Sequence, residues 1–217
     1  MASPTYLELV NDVLIRLREN EVSSVQDNAY SKLIGKFIND AKRQCEDAYN
    51  WNALSETLTA STTESLFNYV LDGSGQRFRM IDVIDDTSNN VLELISTAQM
   101  NKLFLIQTAQ TGAPKYYNFN GVDENGDTQV DVYPIPDKAY DLRFNIIKPQ
   151  ADLTTDSQKI LVPADPVIMG AYARAIAERG EDSGIQSNEA YALYLQSLTD
   201  HIALESGRYI EEGEWFA

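Results

Sequence analysis

Hydrophobic spacing changes period twice along this chain, and no other feature restricts its fold as much. Up to about residue 55, and again after about residue 160, apolar residues recur every three or four positions, as on a helix with one buried face. Between those stretches the alternation is every second position, broken by turn residues, as in strands. Helices, then strands, then helices is the order of an α+β protein. The reading is a helical bundle built from the N- and C-terminal helices, residues 1–55 and 160–206, with an inserted antiparallel β-sandwich or barrel-like module at 56–159. Residues 207–217 form a C-terminal arm.

Local signals place the elements. Ser3 is a candidate cap, Pro4 suits a first helical position, and Thr5 with Glu8 forms a capping box ahead of Leu7, Val10, Leu14 and Leu17. A second helix is expected from about Val25 to Asn50, with Ala29, Leu33, Phe37, Ala41, Cys45 and Ala48 on its inner stripe and Trp51 as an anchor beyond it. Strands are expected at 57–63, 66–71, 78–85, 91–95, 115–120, 129–133 and 140–147, with the strand at 78–85 covered on both faces. Thr97 is the expected cap of a brief helix over 98–107, and Asn125-Gly126 marks a hairpin. Pro163 and Pro166 set the start of a helix to Arg179, and a last helix over 187–206 turns Ala190, Leu193, Tyr194, Leu198, Ile202 and Ala203 inward before Gly207 stops it.

With 217 residues, 43% of them hydrophobic and 23% charged, the chain is long and apolar enough to bury a core. Lysine and arginine total 17 against 33 aspartates and glutamates, a net charge of −16. The excess is mildest over residues 1–56 (6 basic, 9 acidic), larger over 57–147 (6 and 12) and largest over 148–217 (5 and 12). So acidic a chain repels phosphate, which argues against a conventional nucleic-acid-binding surface. One histidine and one cysteine permit neither a zinc set of Cys and His nor an internal disulfide, so no metal and no cofactor is expected. No apolar run approaches a membrane span, and no basic segment precedes an apolar one at the N-terminus, so neither membrane nor signal peptide is expected.

The residues that resemble catalytic or ligand sites have simpler explanations. Asp123, Asn125 and Asp127 imitate a calcium loop, but Thr128 stands where its glycine belongs and no glutamate closes it, so a hairpin is the better reading. Gly73 and Gly75 form a turn between strands rather than a phosphate cradle, because no helix follows them. His201, four residues after Ser197, lies inside a helix rather than beside a nucleophile on a strained turn. Cys45 falls on an apolar stripe, and the pairs Asp85–Asp86, Asp123–Glu124 and Glu181–Asp182 lie at solvated breaks. No catalytic constellation emerges, and the chain is read as not an enzyme. The arm differs from these: Tyr209, Ile210, Trp215 and Phe216 lie beyond the last helix stop, and aromatics on a free end are candidate partner-docking residues.

Two segments carry a resemblance. TGAPKYYNFNG at 111–121 contributes Gly112, Pro114 and Tyr117. The run at 130–182 contributes Tyr133, Pro134, Pro136 and Tyr140, then Leu153, then Leu161 and Pro163 ahead of a helix. Near the N-terminus a second helix ends in Trp51-x-x-Leu54. In this order the pieces resemble the head-to-tail adaptors of short-tailed phages, the tail tubular protein A family. The residues near 78–84 depart from it, since the family often shows an LP.D phrase there. The prolines have a physical role of their own: Pro134 and Pro136 donate no ladder bonds and so end a strand.

The resemblance implies a non-enzymatic virion protein: a homo-oligomeric ring, dodecameric in that family, between the portal protein and the tail nozzle protein. DNA would pass through it without specific binding, at the head–tail junction of a particle assembled in the host cytoplasm. The net charge of −16 has the sign a phosphate-repelling channel needs. The rival readings are another phage neck or tail completion protein, a carbohydrate-binding β module stacking sugars on Tyr116 and Tyr117, and an enzyme using an acidic pair with a divalent metal.

Overall fold

The computed structural model of the chain describes residues 3–106, 108–180 and 185–208. The elements begin with helices α1 (Tyr6–Arg16) and α2 (Ala29–Ala48). Strands β1 (Ser55–Ser61), β2 (Asn68–Val70), β3 (Arg79–Asp85), β4 (Asn90–Val91) and β5 (Glu93–Leu94) follow, then a short helix α3 (Thr97–Asn101). Strands β6 (Tyr116–Val122), β7 (Thr128–Tyr133) and β8 (Asp141–Ile147) precede helices α4 (Ala164–Arg179) and α5 (Ile185–Ser206). The protein is α+β, and it divides into two compact units: Met1–Leu54 with Pro149–Ala217, and Ser55–Lys148.

In the first unit α1 packs on α2 and α4, α2 on α4, and α4 on α5. The cap of α1 is Thr5 rather than Ser3, because the Thr5 hydroxyl accepts from the Glu8 amide at 3.3 Å while the Glu8 carboxylate accepts from the Thr5 amide at 2.7 Å. α2 starts at Ala29, not near Val25. The Asp27 carboxylate takes the amides of Ser23 and Ser24, and Asn28 accepts from the Ser31 amide at 2.8 Å, so the turn before Ala29 is already committed. The buried stripe of α2 also differs from the expected one. Ile34, Ile38, Ala41 and Cys45 are buried with the polar Asn39, Lys42 and Glu46, while Leu33 and Phe37 are half-buried and Ala48 is exposed. At the junction of three helices a Cβ on Gly170 would stand 3.1 Å from both Ala41 Cβ and Tyr194 Cδ2, so glycine lets the α4 backbone approach closely.

The second unit holds two four-stranded sheets, ordered β1-β8-β3-β4 and β2-β7-β6-β5. Their inner faces share one core that includes Val83, Leu92, Tyr117, Val130, Leu142 and Phe144. Every pairing is antiparallel except β5 with β6. Eight strands stand where seven runs were read, because 91–95 splits: β4 joins one sheet, β5 the other, and Leu92 between them is buried. β3 is not covered on both faces. A register shift between Met80 and Asp82 turns Ile81 out to solvent. The cap of α3 is Ser96 rather than Thr97, and the expected helix to residue 107 is an α-helical turn followed by a π-helical turn over Lys102–Ile106.

At the other end, Gly180 closes α4 with φ 64°. On α5, Ala190, Tyr194 and Leu198 are buried as expected, but Leu193 and Ala203 are exposed and Glu205 takes an inner position.

Candidate protein–protein interface

Each unit presents an apolar surface among its described residues. In the first, a groove of about 620 Å³ runs between Pro4, the turn at Trp51–Ala53, the segment 161–164 and the C-terminal end of α5. Trp51 forms its floor. Burial of the indole is complete, and its Nε1–H donates to the Cys45 carbonyl at 2.7 Å, which satisfies the one polar group of the ring. Leu161 and Leu204 flank the groove, 48% and 68% exposed. Glu205 fixes the wall: its carboxylate accepts from the Asn52 amide at 3.1 Å and pairs with Arg208 at 3.2 Å. Arg208 also lines the groove. The arm residues Tyr209, Ile210, Trp215 and Phe216 follow it and lie outside the described residues.

The second surface surrounds the π-helical turn. Leu105 and Ile106 are 80% and 79% exposed. Phe104 packs instead against Phe67 and Tyr133, with ring centroids 4.7 and 5.3 Å away. That packing ties down the base of the turn and leaves its two aliphatic side chains outward. Leu66 and Phe67 extend the patch. Isolated exposed aliphatics are ordinary, but a cluster on an anchored turn is the composition of a binding surface. The sequence signal for it was the apolar run Leu103–Ile106 followed by uncharged residues, which reads equally well as a core segment.

Several of the described residues with a catalytic or ligand-like look have structural roles. The Asp123 carboxylate accepts from the amides of Asn125 and Asp127 at 2.9 and 2.8 Å, closing the β6–β7 hairpin. The Asp127 carboxylate accepts from the amides of Gly75 and Gly73 at 2.8 and 3.0 Å, bonds that hold its carboxyl below the usual carboxylate range. The calcium-like triplet and the glycine-rich turn are thus two sides of one clasp. Asp85 accepts from the Thr87 and Ser88 amides at 2.9 and 3.1 Å, and Asp86 pairs with Arg143 at 2.6 Å. Glu181 and Asp182 lie outside the described residues.

His201 Nδ1 meets the Ser197 carbonyl oxygen at 2.8 Å, not its hydroxyl, and Nε2 lies 3.8 Å from Asp165. Burial, with the nearby Glu46 carboxylate, pushes the Cys45 thiol up to about 12, which removes it as a nucleophile. Tyr117 is buried edge-on to Phe119, so it offers no open ring face to a sugar. Among the described residues no group of three or more His, Cys, Asp and Glu side chains is placed to hold a metal, and no helix is long and apolar enough to cross a membrane.

Comparison with known families agrees with a surface built for partners. The family model described as SU10 adaptor protein matches residues 4–211, nearly the whole chain. No curated protein matches it.

Proposed function

We propose that this chain, which belongs to the SU10 adaptor protein family, is a structural component of a phage virion that joins the portal to the tail nozzle at the head–tail junction. One observation carries the reading: each compact unit displays its own anchored apolar surface, the Trp51 groove and the Leu105–Ile106 turn. A joint between two different proteins needs two such surfaces. An enzyme would need one converging set of reactive groups, and of the groups that resemble one, Asp85, Asp123 and Asp127 hold turns instead.

On this reading copies form a ring around the passage for DNA, with the family's twelve as the expected number. The net charge of −16 per chain keeps the wall from holding the phosphate backbone. The arm residues Tyr209, Ile210, Trp215 and Phe216 enter apolar grooves on the portal. Burying one Trp and one Phe contributes on the order of several kcal/mol per chain at roughly 25 cal/mol per Å². Simultaneous engagement around a ring multiplies the effect. The protein is made in the host cytoplasm and is added there to the portal.

The test is capture of the purified full chain by the portal and, separately, by the nozzle protein of the same phage. Binding to both supports the adaptor reading. Binding to one alone makes the chain a neck or tail completion protein, and binding to neither removes the proposal.

A further inference from the structure

The Trp51 groove and the C-terminal arm meet at one residue. Arg208 lines the groove and pairs with Glu205 at 3.2 Å, and Tyr209 is the next residue in the chain. The end of α5 leads the backbone to that point. The Gly207 amide donates to the Ala203 carbonyl at 3.3 Å and the Arg208 amide to the Glu205 carbonyl at 3.0 Å. The last turn therefore tightens beside Glu205, whose side chain fixes the wall. The groove itself is apolar: Leu161 and Leu204 are exposed at its flanks, and the buried Val162 and Ile168 also line it.

We propose that in the free protein this groove is filled by the chain's own arm, with Trp215 and Phe216 seated beside Leu161 and Leu204. Trp215 comes seven residues after Arg208, a reach of up to about 23 Å when extended, about twice the diameter of a helix. A groove of about 620 Å³ has room for an indole and a phenyl ring, and both rings bring large apolar area to it. The groove's carboxylates decide which part of the arm enters. Asp12, Asp165 and Glu205 line it, so Glu211, Glu212 and Glu214 stay in water and the aromatic pair goes in. Tethering selects this occupant over others. So short a connection holds the pair at an effective concentration on the order of millimolar, which a second copy or another protein at micromolar concentration does not match.

The contact is a latch with two alternative sites for the same anchors. In the free chain the groove covers Trp215 and Phe216, an apolar pair that would otherwise invite non-specific association. An arm held this way is withheld from other copies, so assembly waits for a surface that binds it more tightly. Exchange of the anchors into the portal's grooves is that step, and it rests on the adaptor reading. The latch itself needs only this chain.

The experiment is acrylamide quenching of tryptophan fluorescence in the full chain. No portal is present, so failure of the latch is separate from failure of the adaptor reading. Trp51 is buried, and the quenchable signal therefore belongs to Trp215. Leu204→Asp and, separately, Leu161→Asp place a carboxylate on the groove at exposed positions, so circular dichroism and Tm should not change. The expected result is weak quenching in the wild type that rises, in either variant, to the value of a peptide of residues 208–217. Wild-type Trp215 that already quenches like the peptide overturns the proposal. So does protection that both folded variants retain, which puts the arm elsewhere. Protection that is lost on dilution also overturns it, because the groove would then take the arm of another copy.

Discussion

The Lys42 ammonium lies 3.0 Å from the Glu46 carboxylate, one turn further along α2, and neither side chain is exposed. Lys42 also donates to the Gln150 carbonyl at 2.6 Å, and the Gln150 amide donates to the same Glu46 oxygen at 3.1 Å. A buried ion pair thereby fastens α2 to the segment that returns from β8. One residue pair up the helix, Asn39 does the same with the amide and carbonyl of Leu153, at 2.8 and 3.0 Å. Together they hold the N- and C-terminal parts of the first unit.

Removing one member of the pair is expected to be far worse than removing both. Lys42→Ala leaves the Glu46 carboxylate without its ammonium and should cost about 3–5 kcal/mol of unfolding free energy in urea titrations, whereas Lys42→Met with Glu46→Leu should cost less, because no charge is left unpaired and only the Gln150 amide and carbonyl lose these partners. Equal losses in the single and double variants would contradict the role assigned to the pair.

The Asp127 clasp predicts a pH dependence. Bonds from the Gly75 and Gly73 amides lower the carboxyl in the folded state, so the folded form binds that proton less readily than the unfolded form. The stabilisation is complete above the ordinary aspartate range and is lost as pH falls below about 4 toward the depressed value. Glu8 and Asp27 are shifted down by their Thr5 and Ser23 hydrogen bonds and act in the same direction. Melting curves from pH 7 down to the acid range should show Asp127→Ala with a lower Tm at neutral pH and a gap to wild type that narrows in acid. A gap that stays constant at every pH would remove the clasp.

Much of this molecule was legible because periodicity reports packing directly. The α+β order, the Thr5–Glu8 box, the Asn125-Gly126 hairpin and the burial of Trp51 follow from spacing and turn chemistry alone. The stripe of α2 was misread for a physical reason. Lys42 and Glu46 pair with each other one turn apart, but their burial, like that of Asn39, also rests on backbone groups of Gln150 and Leu153 over 100 positions away, which the local pattern does not reveal. The exposed turn at Leu105–Ile106 was hidden in the opposite way, because an apolar run looks the same whether it faces a core or a future partner.

Substituting Leu105 and Ile106 together by serine tests the second unit's surface. Both side chains are exposed, so unfolding free energy should move by no more than about 0.5 kcal/mol. Affinity for one of the two proposed partners should fall by about tenfold or more, the factor that 1.4 kcal/mol makes, with the other unchanged. Unchanged affinity for both partners would take this surface out of the account.

The central claim is that copies of this chain assemble on the portal through the C-terminal arm. Mass photometry of the full chain, alone and mixed with the portal ring of the same phage, measures it most directly, with a chain lacking residues 208–217 as the comparison. The account predicts a small species alone, a portal ring that gains many copies on mixing, and a truncated chain that folds but leaves the portal mass unchanged. A portal that gains no mass from the full chain would contradict the adaptor reading, and a truncated chain that assembles normally would contradict the arm.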